Sequence, residues 1–425
     1  MFLYRRFVLP FLGACGLLLL TTSAFSQCAI SPSVGVRADE WDSVFTQDGP
    51  GRGLEPAGSP GWTGGDSTYS LLLPNGDTAF FFSDSYIGEF PRVNGDGTVT
   101  RSASGLRTTE INCTPPFCDP PASVFGPRNS IVVLDRERKR LRTLVGPKNE
   151  NGISTSYFKD PAPGLVYWMG DAIVLPKDIK QRHRLFVFLH KFDGKMKFHG
   201  AAVAQLDPIT LRIEKMLEIR GLPNTEIHWG TAMIADDEWL YIYGKGVRDG
   251  RKQPYVARVN TGVTIERLAS SEGWSAWDGK WWVQGLEKAV PIIAADDSVS
   301  DEFNVVRFNI KGRPTYIFAG IDTTVPFGSW RDITLYSSCS PQGPFTGKHA
   351  VYSMPESRSF TVPGLGAARK LKGHLVVYNP HIHPQFSRPG RLLISYNINR
   401  SHNDDTIYID GYRPRFIYVP VDGLK

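Results

Sequence analysis

Residues 65–86 read GDSTYSLLLPNGDTAFFFSDSY. Two short strand-like runs, residues 67–73 and 78–83, flank Pro74-Asn75-Gly76-Asp77, and Asn-Gly between such runs is a strong hairpin signal. With the reversal centred on Asn75, Asp66 faces Asp84. Opposed residues of antiparallel strands sit roughly 4.5–5.5 Å apart at Cα, so the hairpin delivers two carboxylates to its open end. Close carboxylates beside low-dielectric walls repel, and one pKa rises while the other stays low. An acid and a base drawn from one residue type are what cleavage of a glycosidic bond uses. Either aspartate alone also suits a turn cap, because Asp readily bonds nearby backbone. The facing pair is what carries the catalytic reading.

The same grammar, a polar residue before a short apolar strand, a turn and an aromatic-rich strand, recurs four times. It returns at Trp168-Met-Gly-Asp171-Ala-Ile-Val-Leu with Arg184-Leu-Phe-Val-Phe-Leu, and at His228-Trp229 through Tyr243. The fourth copy is Asp301-Glu302 through Phe308 with Pro314 to Ala319, and the fifth is His381-Ile-His383 with Arg391 to Asn397. Taken at Asp66, Asp171, Trp229, Glu302 and His381, the spacings are 105, 58, 73 and 79 residues. Units of that size, each with about four short strands, predict an all-β, five-bladed β-propeller; a two-sheet sandwich is the alternative. Further strands are expected at Ser130–Leu134, Tyr255–Val259 and Asp332–Ser337. The long first interval holds a polar, Pro-rich insert, Gly88–Pro127, which has the length of a functional loop or a disordered one.

Composition agrees: 12% aromatic residues, 42 Gly and 31 Pro suit many short strands joined by turns. Arg5-Arg6, the apolar run Phe7–Leu20 and Ser23-Ala-Phe-Ser26 read as a signal peptide, residues 1–26, cut near Ser26/Gln27. Residues 27–61 then form an N-terminal arm and 62–425 a single propeller. The expected mature chain is secreted or periplasmic, monomeric and off the membrane. Its formal charge falls from +6 to +4 with the loss of Arg5 and Arg6, and it has no Lys/Arg run of the kind nucleic acid requires. Four cysteines remain, Cys28, Cys113, Cys118 and Cys339, which allow three pairings. The compact Cys113–Cys118 loop favours pairing within itself, leaving Cys28 with Cys339.

Trp62…Gly65-Asp66-Ser-Thr-Tyr-Ser, the Ser83-Asp84-Ser85 ending and Tyr378-Asn-Pro-His-Ile-His-Pro-Gln-Phe…Leu-Ile-Ser-Tyr-Asn resemble a family of exported bacterial five-bladed propellers. That family was long described only as a domain of unknown function and includes endo-D-arabinanases of mycobacterial-type cell walls. The resemblance runs in motif order over most of residues 60–400. It implies a glycoside hydrolase cleaving furanosyl linkages in a polysaccharide, by an inverting two-aspartate mechanism mapped onto Asp66 as base and Asp84 as acid. Family members usually carry Gly-Asp-Thr at the second aspartate, where this chain has Ser83-Asp84-Ser85. A non-catalytic carbohydrate-binding propeller of the cell envelope is the alternative, and glycosyl transfer is a third reading.

Around the pair, Asp171 and Glu302 occupy the corresponding positions of later blades. Glu302 is a reserve acid, since other five-bladed glycosidases draw theirs from a later blade. Trp168, His228 and Trp229 are candidate sugar contacts, because aromatic faces pack on sugar C–H surfaces; packing between blades is the other reading. His381 and His383 alternate along a strand, so at most one faces the axis, where it would hydrogen-bond substrate or a catalytic carboxylate; a packed core histidine is the other reading. No metal or cofactor is expected; a central cation is conceivable in such propellers, but no acidic Ca²⁺ loop is present.

Overall fold

The computed structural model describes residues 28–45, 61–87, 92–93, 99–100, 127–150, 152–175, 182–223, 227–326, 329–357, 375–400 and 412–425. The signal segment, Cys113–Cys118 and most of the Gly88–Pro127 insert lie outside them.

The hairpin is formed as its sequence requires. The Gly76 amide donates to the Leu73 carbonyl at 2.9 Å, and Gly76 takes a φ of 90° that a side chain would strain. Tyr69–Leu72 pairs with Thr78–Phe82 from Tyr69↔Phe81 to Leu72↔Thr78, and beyond them Gly65 opposes Ser85. Both sets keep the register centred on Asn75. The Asp66 amide donates to the Asp84 carbonyl at 3.3 Å and the Ser83 amide to the Asp66 carbonyl at 3.0 Å. The two aspartates therefore face each other.

Five antiparallel sheets close into a five-bladed β-propeller. The first blade is Tyr69–Leu72, Thr78–Phe82, Ser130–Leu134 and Arg140–Leu144. The second is Leu165–Leu175, Arg184–Asp193, Phe198–Leu206 and Ile213–Glu218. The third runs His228–Ala235, Trp239–Arg248 and Arg251–Asn260, then adds the hairpin Ser275–Trp277/Trp282–Gln284. The fourth is Asn304–Ile310, Arg313–Ile321, Asp332–Ser338 and Thr346–Ser353. The fifth is Leu375–Ile382, Arg391–Arg400, Arg415–Pro420 and, last, Val36–Arg37.

Each blade is covered on both faces, so its strands are apolar at successive positions. Phe80, Phe81 and Phe82 are all fully buried. Successive side chains point to opposite faces: Phe80 and Phe82 meet Leu393 and Phe416 of the fifth blade, while Phe81 meets Val187 and Ala204 of the second. Similar clusters fill the seams between the second and third, third and fourth, and fourth and fifth blades.

The N-terminal arm does not stand apart. Val36 pairs with Tyr418 and Arg37 with Ile417, so a segment ahead of the first blade completes the last and closes the ring. The turns that follow send Trp41 and Phe45 into the seam between the first and fifth blades. Arg37 bonds the buried Glu356 at 3.0 Å. Cys28 is disulfide-bonded to Cys339 across 311 residues, fastening the closing segment to the fourth blade. Cys28→Ser should cost about 2–5 kcal/mol of stability, read as a lower midpoint in denaturant unfolding. An unchanged midpoint would mean that the pairing between Val36–Arg37 and the fifth blade closes the ring unaided.

Candidate functional site

A cleft of about 2240 Å³ opens where the innermost strands begin, and Asp66, Trp168, His228, Glu302 and Tyr378 line it, one from each blade. Asp84 joins them from the far arm of the first hairpin.

These strands share an irregularity. Against its neighbour, the inner strand carries extra residues between Met169 and Ala172, between Trp229 and Ala232, and between Tyr378 and His381. Such bulges re-aim side chains. In the second and third blades they bring two backbones together: a Cβ on Gly170 would lie 2.6 Å from the Gly230 carbonyl oxygen. Trp168, His228 and Tyr378, ahead of the bulges, line the cleft, whereas Asp171, within one, turns into the body.

The expected contacts divide accordingly. Trp168 lines the cleft and donates its indole N–H to Asp84 Oδ1 at 3.0 Å. His228 lines it too, stacked on Phe198 at 4.1 Å. Trp229, expected to touch sugar, is instead fully buried against Trp274 in the seam behind. Asp171 does not line the cleft either: its carboxylate accepts from the Ala172 amide at 2.8 Å and the Met233 amide at 2.7 Å, pinning the second blade to the third. Burial lifts it to about 7 despite those bonds. The fifth inner strand begins at Leu375, earlier than its sequence suggests, which puts both histidines below the cleft. His383 bonds Ser70 at 2.6 Å and packs on Phe80 in the core. His381 is buried against Tyr69 and reaches Glu302 at 3.2 Å, touching the site from behind.

The three cleft carboxyls sit in different surroundings. Asp66 Oδ2 accepts from the hydroxyls of Tyr378 at 3.0 Å and Tyr412 at 2.9 Å, while Oδ1 is buried with no hydrogen-bond partner among the described residues. Burial, then Asp84 and Glu302, push Asp66 well above the usual carboxylate range, against those two bonds. Burial also raises Asp84, but the Arg128 guanidinium, 3.2–3.3 Å from both its oxygens, and the Trp168 N–H oppose the rise. Glu302 accepts from Ser67 Oγ at 2.9 Å and, among the described residues, has no Lys or Arg beside it. Burial, helped by Asp301, lifts it to about 8. Burial holds His381 near 3, so its contact with Glu302 is a hydrogen bond between neutral groups at pH 4–7 rather than an ion pair.

Arg128, Tyr378 and Tyr412 were not singled out from sequence. Arg128 follows the long insert with no periodic context. Tyr378 had a signal: like Trp168 and His228, it is a large ring shortly before a strand irregularity at Gly170, Gly230 or Asn379-Pro380. Trp229→Ala should therefore cost about 3–5 kcal/mol, whereas Trp168→Phe, which removes one N–H at the cleft wall, should shift stability by less than about 1.5 kcal/mol. Equilibrium denaturation of the two variants checks this, and equal losses would contradict the division.

Residues 57–420 match the family model described as "Domain of unknown function (DUF5005)". No curated protein matches the chain. A Bacteroides ovatus crystal structure, provisionally designated a hydrolase, superposes with a TM-score of 0.62 at 20% identity, covering 93% of this chain and 94% of that one. It shares the fold. An α-L-arabinofuranosidase from Podospora anserina in complex with cellotriose gives 0.41 at 12% identity over 93% and 96% of the chains. An endo-arabinase from Bacteroides thetaiotaomicron gives 0.39 at 10% identity over 84% and 94%. Both lie too far away to carry function.

Proposed function

The chain belongs to the DUF5005 family, and we propose that it is an exported glycoside hydrolase acting on a cell-wall polysaccharide. The observation that carries this is the separation of two cleft carboxyls by environment. Arg128 opposes the rise that burial imposes on Asp84, while Glu302, with no cation beside it among the described residues, is lifted to about 8. Environments that push two carboxyls apart assign the acid and the base. This favours Glu302 as the acid that protonates the leaving oxygen and Asp84 as the base that activates water. It differs from the division by family resemblance, in which Asp66 was base and Asp84 acid. Asp66, with one oxygen tied to two tyrosines and the other buried, is left outside the acid–base pair. Drawing acid and base from different blades suits the wider carboxyl separation of an inverting mechanism. The Cys28–Cys339 bridge supports an oxidising compartment. Furanosyl linkages, and D-arabinan in particular, rest on motif resemblance alone.

One feature favours a binding-only propeller: Arg128 engages both oxygens of Asp84. Incubating the mature chain with a panel of cell-wall polysaccharides and reading products by chromatography separates the two. A hydrolase shortens its glycan, and a lectin returns it intact.

Glu302→Gln should lower hydrolysis of polysaccharide by about 10²–10⁴-fold but spare cleavage of an aryl glycoside, whose leaving group needs no proton. Asp84→Asn should lose both. Equal loss on both substrates in Glu302→Gln would remove the acid assignment. Because the acid works protonated, kcat should fall as pH rises through about 8. An alkaline limb already at pH 4–5 would contradict the assignment.

A further inference from the structure

On the cleft wall opposite the first hairpin stands a charge arrangement that bond cleavage does not use. Lys245, on Trp239–Arg248, and Lys252, on the following strand, converge on one carboxylate, Asp301. Lys245 Nζ lies 3.2 Å from Asp301 Oδ1, and Lys252 Nζ bonds Oδ2. The Lys245 side chain is 7% exposed, and Lys252 also lies over the Trp330 ring at 4.7 Å. Among the described residues neither lysine has a second carboxylate. Two ammoniums against one carboxylate leave one positive charge on the cleft wall, with Lys245 buried and Lys252 and Asp301 partly exposed, and an anion reaching it gains charge-assisted hydrogen bonds.

The surroundings do not cancel it. His228, paired with Lys245 across the strands, is kept neutral by burial and by that lysine. Glu302, next to Asp301 in the chain, is protonated below about pH 8. Both lysines, Asp301, His228 and Glu302 line the same cleft, so a sugar with its glycosidic oxygen near Glu302 can extend a substituent toward the lysines.

We propose that this pair of lysines forms a subsite for a singly charged substituent on the glycan, the carboxylate of a uronic acid residue next to the scissile bond. A monoanion balances the single surplus charge, whereas a phosphate monoester would overshoot it. The inference deepens the glycosidase reading and rests on it for the position of the bond.

Uronosyl oligosaccharides and the same oligosaccharides after chemical reduction of the carboxyl to a primary alcohol differ only in the group at issue. Calorimetric titration of the full mature chain should find the uronosyl form bound at least tenfold more tightly, with the preference below threefold in Lys252→Gln. In wild type it should likewise shrink at 0.5 M NaCl, a reading that needs no variant. Equal affinity before and after reduction would overturn the subsite. So would a preference that survives both salt and substitution, or tighter binding of sulfated than of uronosyl ligands. Cleavage of neutral glycans with no uronate preference would remove the subsite and leave the hydrolase. Selective uronate binding without cleavage would do the reverse.

Discussion

Glu302 sits where the first, fourth and fifth blades meet, and its carboxyl is bonded from both other blades: by Ser67 at 2.9 Å and His381 at 3.2 Å. Ser67 goes on to Ser83 at 2.7 Å, and Ser83 accepts the Met169 amide of the second blade at 2.9 Å. Tyr69 reaches the Thr231 carbonyl of the third at 3.2 Å. One polar network thus touches all five blades. Buried polar groups must find partners, and here they find them across blades rather than within them. The constraint that joins the ring is therefore the one that positions the candidate acid. Substitution of Ser67 or His381 would disturb packing and chemistry together.

Burial works on every carboxyl of the cleft in one direction, toward the neutral form. What distinguishes them is the partner each is given: a guanidinium for Asp84, two phenols for Asp66, a hydroxyl and a neutral imidazole for Glu302. Differences in partner thus divide residues of similar chemistry into roles. The same logic on the opposite wall, with too many ammoniums for one carboxylate, gives the cleft a sign as well as a shape.

The hairpin around Asn75 was legible because turn chemistry and register depend on neighbours in sequence, and both were found as read. The five blades were legible because each repeats the hairpin. Trp229 was misplaced because it stands next to His228 on the opposite face of its strand, and Asp171 because it lies within a bulge of its inner strand. No residue type marks it unambiguously, although Gly170 and Gly230 are compatible with it. Glu302 was seen as a reserve acid from its place in the repeat and from other five-bladed glycosidases, and it does reach the cleft, standing before its strand where no bulge intervenes. Arg128, which changes the role of Asp84, comes from beyond a long insert and meets it only in the folded chain.

The central claim is that Glu302 holds its proton at neutral pH. Carbon-13 NMR of side-chain-labelled glutamate, with the Glu302 resonance assigned by its loss in Glu302→Gln, measures this directly. A midpoint near 8 is predicted; a midpoint at the ordinary glutamate value of about 4.3 would contradict the account.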